Sequence, residues 1–229
     1  MTDQPATHDT SAGTLGDRER LALDRYLRPL ANDSPEPVIS CFVAALRDAR
    51  YTTGRDLDTG VMVEPEQPAL WLGALGYLAF LDQVGSAVRR DGWKRPLDMK
   101  CIEAALAQFA PHVTEPERQA LYALRCAFAH DYGLMNPVDN QRKRTAYQHA
   151  FELRETGGPL VTFPDRRWKG HIADPGTPSP DPTVVNLSAL GDTAEHVAAD
   201  VLAAHAAGVL RTATEDPVEL ERRYLFVTG

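Results

Sequence analysis

Three residues within the segment LYALRCAFAHDYGLMNP, residues 121–137, carry side chains that could do chemistry at fixed spacing: Arg125, His130 and Tyr132. Arg125 is a permanent cation, and histidine is the side chain whose ordinary titration lies near neutrality, so the pair could stabilise an anion and move a proton. Position adds to this. On a 3.6-residue period Arg125 lies about 40° from Leu121, at the edge of an apolar stripe completed by Leu124 and Phe128, and Tyr132 falls within about 20° of that stripe. An arginine placed there needs a carboxylate, a phosphate or a backbone carbonyl to offset its desolvation. The same residues also admit a structural reading. Arg125 would then be the ion-pair partner of Asp82 or Asp131, and His130 a helix-end histidine favoured by the macrodipole.

The elements that must position these residues are mostly helical. Apolar residues recur at three- and four-residue spacing over residues 17–30 and 37–50, the second through Val38, Cys41, Phe42, Ala45 and Leu46. After a polar loop over 51–67, residues 68–90 predict a long helix that is apolar nearly all round, as a central or interface helix would be. Gly73, Gly76 and Gly85 within it would let neighbouring helices approach closely. Residues 97–109 predict another helix. Thr114 and Glu117 then stand at capping-box spacing, with Pro116 in the first turn, so a fifth helix starts there and ends near Tyr132, where Gly133 suits a left-handed stop.

Beyond Pro137 the period changes. Tyr147, His149, Phe151 and Leu153 alternate with Gln148, Ala150 and Glu152, and the Glu155-Thr156-Gly157-Gly158 turn would let 160–163 return as the second strand of a β-hairpin. Residues 170–182 form a Pro-rich connection, and 183–187 a third strand. Asp192 and Glu195 repeat the capping-box spacing ahead of an Ala-rich helix over 193–210, and a last short helix covers 217–224. The expected fold class is therefore mainly α: a flexible tail at 1–16, a helical bundle over 17–136, and a β-hairpin or small sheet with C-terminal helices over 137–229 packing on that bundle.

The Arg125-x4-His130-x-Tyr132 pattern on a late helix of such a bundle resembles the Arg-x4-6-His signature of the HEPN superfamily, in the form with a following Tyr found in toxin-type members. The likeness covers residues 17–136 by architecture and about ten residues by motif. It implies an HEPN-like bundle, a homodimer, and a metal-independent endoribonuclease in a toxin or in a stress or defence system. Arg125 and His130 would then be the catalytic pair, with Tyr132 orienting phosphate or accepting a nucleotidyl group from a partner enzyme. The alternative it implies is a catalytically inactive HEPN-like dimerisation or partner-binding module. One departure bears on activity: family members commonly carry Asn after the Arg, and Cys126 stands here.

The implied chemistry is coherent. Attack of a 2′-hydroxyl on the adjacent phosphate requires proton transfer, which His130 can perform, and stabilisation of a phosphorane dianion, which Arg125 can perform. One histidine cannot readily serve as both acid and base, whereas a two-fold dimer would bring two copies of each residue to one cleft. Helical context is what selects Arg125, since Arg144 to His149 and Arg166 to His171 repeat the spacing in the hairpin region. Five residues of regular helix also turn by about 140°, so Arg125 and His130 share a face only if the helix bends or the pair converges across subunits.

Other features are weaker. Residues 141–171 hold seven basic side chains against three acidic ones, with aromatics interleaved, so Arg142, Lys143, Arg144, Arg166, Arg167 and Lys169 could contact RNA or form a solvated face. The chain as a whole is acidic, with net charge −8 over 229 residues, which argues against nonspecific binding along a nucleic-acid backbone over the whole surface. Three dispersed cysteines, Cys41, Cys101 and Cys126, suggest reduced thiols. His149 and His171 lack zinc-ligand spacing, no Gly-rich phosphate loop is present, and neither cofactor nor metal is expected. The apolar run over 69–81 is short of the roughly 20 residues a membrane span needs, so a cytoplasmic protein is expected, with RNA or an antitoxin as possible partners.

Overall fold

The computed structural model describes residues 15–28, 38–63, 70–136, 147–155, 157–166, 168–170 and 181–227. The tail over 1–14, the connection over 171–180, and Arg142, Lys143, Arg144 and Arg167 lie outside the described residues. Among those described, seven helices dominate and the strands are short, so the mainly α class with a small β region holds.

The helices are α1 (Leu15–Leu27), α2 (Cys41–Thr53), α3 (Leu70–Ala87), α4 (Cys101–Phe109), α5 (Glu115–Asp131), α6 (Leu187–Ala206) and α7 (Pro217–Tyr224). Helix α3 is the axis of the molecule, packed by α2, α4, α5 and α6. Its all-round apolar sequence follows from that position: Tyr77, Leu78, Phe80, Leu81 and Val84 are fully buried. The glycines set the helix spacing. A Cβ on Gly73 would meet the Thr53 methyl at 2.2 Å, one on Gly76 would press on Ala49 at 3.1 Å, and one on Gly85 would lie 1.8 Å from the Cys101 carbonyl oxygen. Gly73 and Gly76 thus admit α2, and Gly85 admits the start of α4.

Two antiparallel clasps weave the C-terminal segment into the N-terminal half. Strand β1 (Val38–Ser40) pairs with β8 (Leu225–Val227), and β2 (Val88–Arg90) pairs with β7 (Leu210–Thr212). The helix expected over 37–50 therefore begins only at Cys41, because Ser40 acts as its N-cap and accepts from the Phe42 N–H at 3.2 Å. Likewise the helix expected to run to Arg90 stops at Ala87, and residues 88–90 pair with β7 instead. Helix α4 starts at Cys101, with Lys100 as its N-cap, rather than at Leu97.

The hairpin is corrected. Strands β3 (Met135–Asn136), β4 (His149–Arg154), β5 (Val161–Thr162) and β6 (Thr183–Asn186) form one sheet in the order β3-β4-β6-β5. Strand β6 enters between the two strands expected to pair, running parallel to β4 and antiparallel to β5. Asn186 fixes that junction: its amide donates to the carbonyls of Gly157 and Gly158 at 2.8 and 3.0 Å, while its Oδ1 accepts from the Ala189 N–H at 3.1 Å. Asn186 is thus the N-cap of α6, which starts six residues before the expected position. Asp192 and Glu195 lie inside the helix, free for other partners.

Candidate functional site

The N-terminus of α5 forms as its sequence requires, with the Glu117 carboxylate accepting from the Thr114 N–H at 2.8 Å. Leu121, Leu124 and Phe128 are buried against the core. The helix remains regular through Asp131, so it neither bends nor frays between Arg125 and His130, and the turn of about 140° between them persists. The chain does not bring the two residues to one face.

Arg125 takes the structural partner. Its Nη2 donates to Asp82 Oδ2 of α3 at 3.0 Å, with the two side chains 31% and 26% exposed. A pair open to that extent contributes on the order of 1 kcal/mol or less, so it orients the guanidinium more than it stabilises the fold. His130 is exposed at the last turn. Cys126, half-buried, lies one turn from Tyr122, whose hydroxyl titration is pushed up first by burial and then by the neighbouring Cys126 thiol. Lys100 sits over the Tyr122 ring at 5.7 Å, and Tyr147 meets it edge-on at 5.1 Å.

The stop differs from expectation in an informative way. Tyr132, not Gly133, holds the left-handed conformation, at φ 48°, and is the one non-glycine residue with positive φ among the described residues. The Tyr132 N–H donates to the Phe128 carbonyl at 3.0 Å and the Gly133 N–H to the Ala127 carbonyl at 3.2 Å. A tyrosine in this region costs about 1–2 kcal/mol relative to an unstrained backbone. In return its ring is laid along Phe128, centroids 5.7 Å apart at 26°, and reaches Trp71 of α3 at 6.1 Å, while Trp71 stacks on Phe128 at 5.9 Å. The outer two rings face solvent: Trp71 is 40% and Tyr132 52% exposed. Leu72 and Met135 extend this apolar face, and along α3 the exposed side continues through Leu75 and Ala79 to Asp82.

The remaining basic residues are scattered. Arg166 is almost fully exposed and meets Asp181 at 3.5 Å, and Lys169 is exposed. Among the described residues no group of three or more His, Cys, Asp or Glu side chains is arranged to hold a metal, and no described helix is long and apolar enough to cross a membrane.

Two constellations escaped the sequence reading. The first is a polar network that ties the loop over 54–63 to α6. Arg50 forks onto Glu195 at 2.9 and 2.6 Å and donates to the carbonyls of Leu57 and Asp58. Arg55, 6% exposed, donates to Asp192 at 2.8 Å and to the Gly60 and Ser188 carbonyls at 3.1 Å. The Tyr77 hydroxyl donates to Glu195 at 3.2 Å, and burial pushes its titration up. Apart from the buried Arg55 Nε, which has no hydrogen-bond partner among the described residues, the network's polar groups meet backbone or charged partners, so it reads as a clasp. The second is a basic pocket at the far end of α3, prefigured only by the run RRDGWKR over residues 89–95.

Comparison with protein-family models, curated proteins and solved structures finds no match to the chain. What the fold and site define is a mainly α-helical protein whose central helix and α5 together present an open aromatic face beside an ion-paired arginine.

Proposed function

We propose that the protein is a HEPN-like homodimerisation module that pairs with a second copy through the face formed by Trp71, Leu72, Tyr132 and Met135. The observation that carries this reading is Tyr132. A strained backbone position is retained at the end of α5, and what it supports is an exposed ring stacked into an exposed aromatic cluster. Such a cluster, edged by charge, is the composition of an interface centre. The edge carries both signs of charge: Arg125 pairs with Asp82 there, so two-fold pairing can set the arginine of one copy near the carboxylate of the other. In this reading Arg125 is a positioning residue held by Asp82.

A metal-independent endoribonuclease is the second reading, favoured by the exposure of His130 and the partial exposure of Arg125. The same dimer would bring two Arg125 and two His130 together, overcoming the 140° turn within one chain. Sedimentation across micromolar concentrations tests the dimer, which Trp71→Ser should dissociate. Incubation of the purified protein with RNA in EDTA then separates the readings. No cleavage, with dimerisation intact, supports the module; cleavage lost in both Arg125→Ala and His130→Ala dimers supports the nuclease. A wild-type chain that stays monomeric removes the support for both.

A further inference from the structure

At the opposite end of α3 from the aromatic face, about 22 Å along the helix axis, lies a pocket of about 710 Å³. Its size falls within the range of small-molecule sites. Its charge runs against that of the molecule: Arg89, Lys94, Arg95 and Arg223 line it, opposed by Glu215 and Glu219, in a chain of net charge −8. One cation is already matched, since Arg223 pairs with Glu219 one helical turn away. Among the described residues the other three form no ion pair: Arg89 donates weakly to the Trp93 carbonyl at 3.4 Å, and Arg95 donates to the Cys101 sulfur at 3.0 Å. Arg89 also stands directly across the β2–β7 pairing from Arg211, which Asp91 neutralises. Like charges placed opposite one another on a ladder are destabilising unless something offsets them.

We infer that this pocket binds a small aromatic phosphomonoester, the chemistry of a nucleoside monophosphate. Arginine forks match phosphate oxygens bidentately, and three cations without a carboxylate partner among the described residues, around one cavity, suit a dianion rather than a single carboxylate. Trp93, half-buried and lining the pocket, supplies an aromatic side chain against which a ligand ring can pack. Thr214 and Glu215, which also line the pocket, offer hydroxyl and carboxylate acceptors for sugar hydroxyls. A phosphate that engages Arg95 competes with its contact to Cys101, so occupancy is readable at that thiol.

Titration calorimetry on the full chain with adenosine 5′-monophosphate, adenosine and inorganic phosphate tests this directly. The monophosphate should bind in the micromolar range and at least tenfold more tightly than either fragment. The exposed-loop double variant Lys94→Ala/Arg95→Ala should lose at least tenfold in affinity. Trp93→Leu should weaken the monophosphate severalfold and leave phosphate binding unchanged. Alkylation followed by peptide mapping should show the monophosphate changing the rate at Cys101 while Cys41 and Cys126 keep theirs. No binding at millimolar concentration, binding unaltered in the double variant, a Cys101 rate unaltered by ligand, or inorganic phosphate binding as tightly as the monophosphate would overturn the proposal. Because the pocket lies apart from the aromatic face, this outcome is independent of whether the protein dimerises.

Discussion

Replacing Tyr132 by glycine separates the energy of the helix stop from the role of the ring it carries. In the wild type the left-handed backbone costs about 1–2 kcal/mol, which glycine removes. The lost ring is 52% exposed, so its burial contributes about half of the 1.5–3 kcal/mol of a fully buried side chain, roughly 1 kcal/mol. Its stacking on Phe128 and its tilted contact with Trp71 add about 0.5–1 kcal/mol at a surface site. The two sides nearly cancel, and Tyr132→Gly should leave monomer stability within about 1 kcal/mol of wild type, a change in Tm of at most about 4 °C for a chain of this size.

Tyr132→Ala loses the same ring but keeps most of the backbone cost, so it should be less stable than Tyr132→Gly by about 1 kcal/mol. Stability must be read by urea unfolding at concentrations where the protein is monomeric, because dimerisation adds a concentration-dependent term. Sedimentation at higher concentration then reads association, which both variants should weaken at least tenfold. Equal stability of the alanine and glycine variants would refute the left-handed cost. A Tyr132→Gly protein that dimerises like wild type would refute the role of the ring.

Other substitutions probe the rest of the framework. Glu195→Ala strands the Arg50 fork, whose two side chains are 11% and 15% exposed, and should cost about 3 kcal/mol, whereas Arg154→Ala, which breaks an exposed pair with Glu152, should change urea stability by less than about 0.5 kcal/mol. Gly85→Ala drives a methyl into the Cys101 carbonyl and should lower stability by about 3 kcal/mol or more by forcing α3 and α4 apart, seen as a fall in Tm of at least about 6 °C. Arg125→Met should shift stability by no more than about 1 kcal/mol, since its pair with Asp82 is about one-third open; a loss above about 2 kcal/mol would mean the arginine is a core strut.

What the sequence made legible was local. Helix α5 was readable because Thr114, Pro116 and Glu117 act within one turn, and α7 matches its expected span because Asp216 caps it ahead of Pro217, with Oδ1 accepting from the Val218 N–H. The partner of Arg125 was one of two carboxylates named from the pattern. Where the reading failed, the deciding partner lay far away along the chain. Period-two alternation located β4 but not its faces, since His149, Ala150 and Phe151 are all buried, and it carried no information about β6, which arrives from beyond residue 180 to separate β4 from β5. Asp192 and Glu195 had cap spacing, yet Asn186 capped first, and the two carboxylates instead meet Arg55 and Arg50, 137 and 145 residues distant. The left-handed residue was misplaced by one because glycine is the cheaper choice, and only a contact outside the helix, with Trp71, gives tyrosine a reason to hold it.

Helix α3 is apolar all round, and four neighbouring helices account for most of its circumference. They do not account for Trp71 and Leu72 in its first turn, which stay 40% and 52% exposed. Tyr132 reaches the same place from α5 at the expense of a relaxed backbone. Two helices thus contribute apolar rings to one patch of surface that stays exposed among the described residues, with the Asp82 to Arg125 pair joining the same two helices. Contacts with Phe128 and Trp71 offset the left-handed backbone of Tyr132 within one copy, and the exposure that remains on Trp71 and Tyr132 is the surface that the proposed pairing with a second copy would cover.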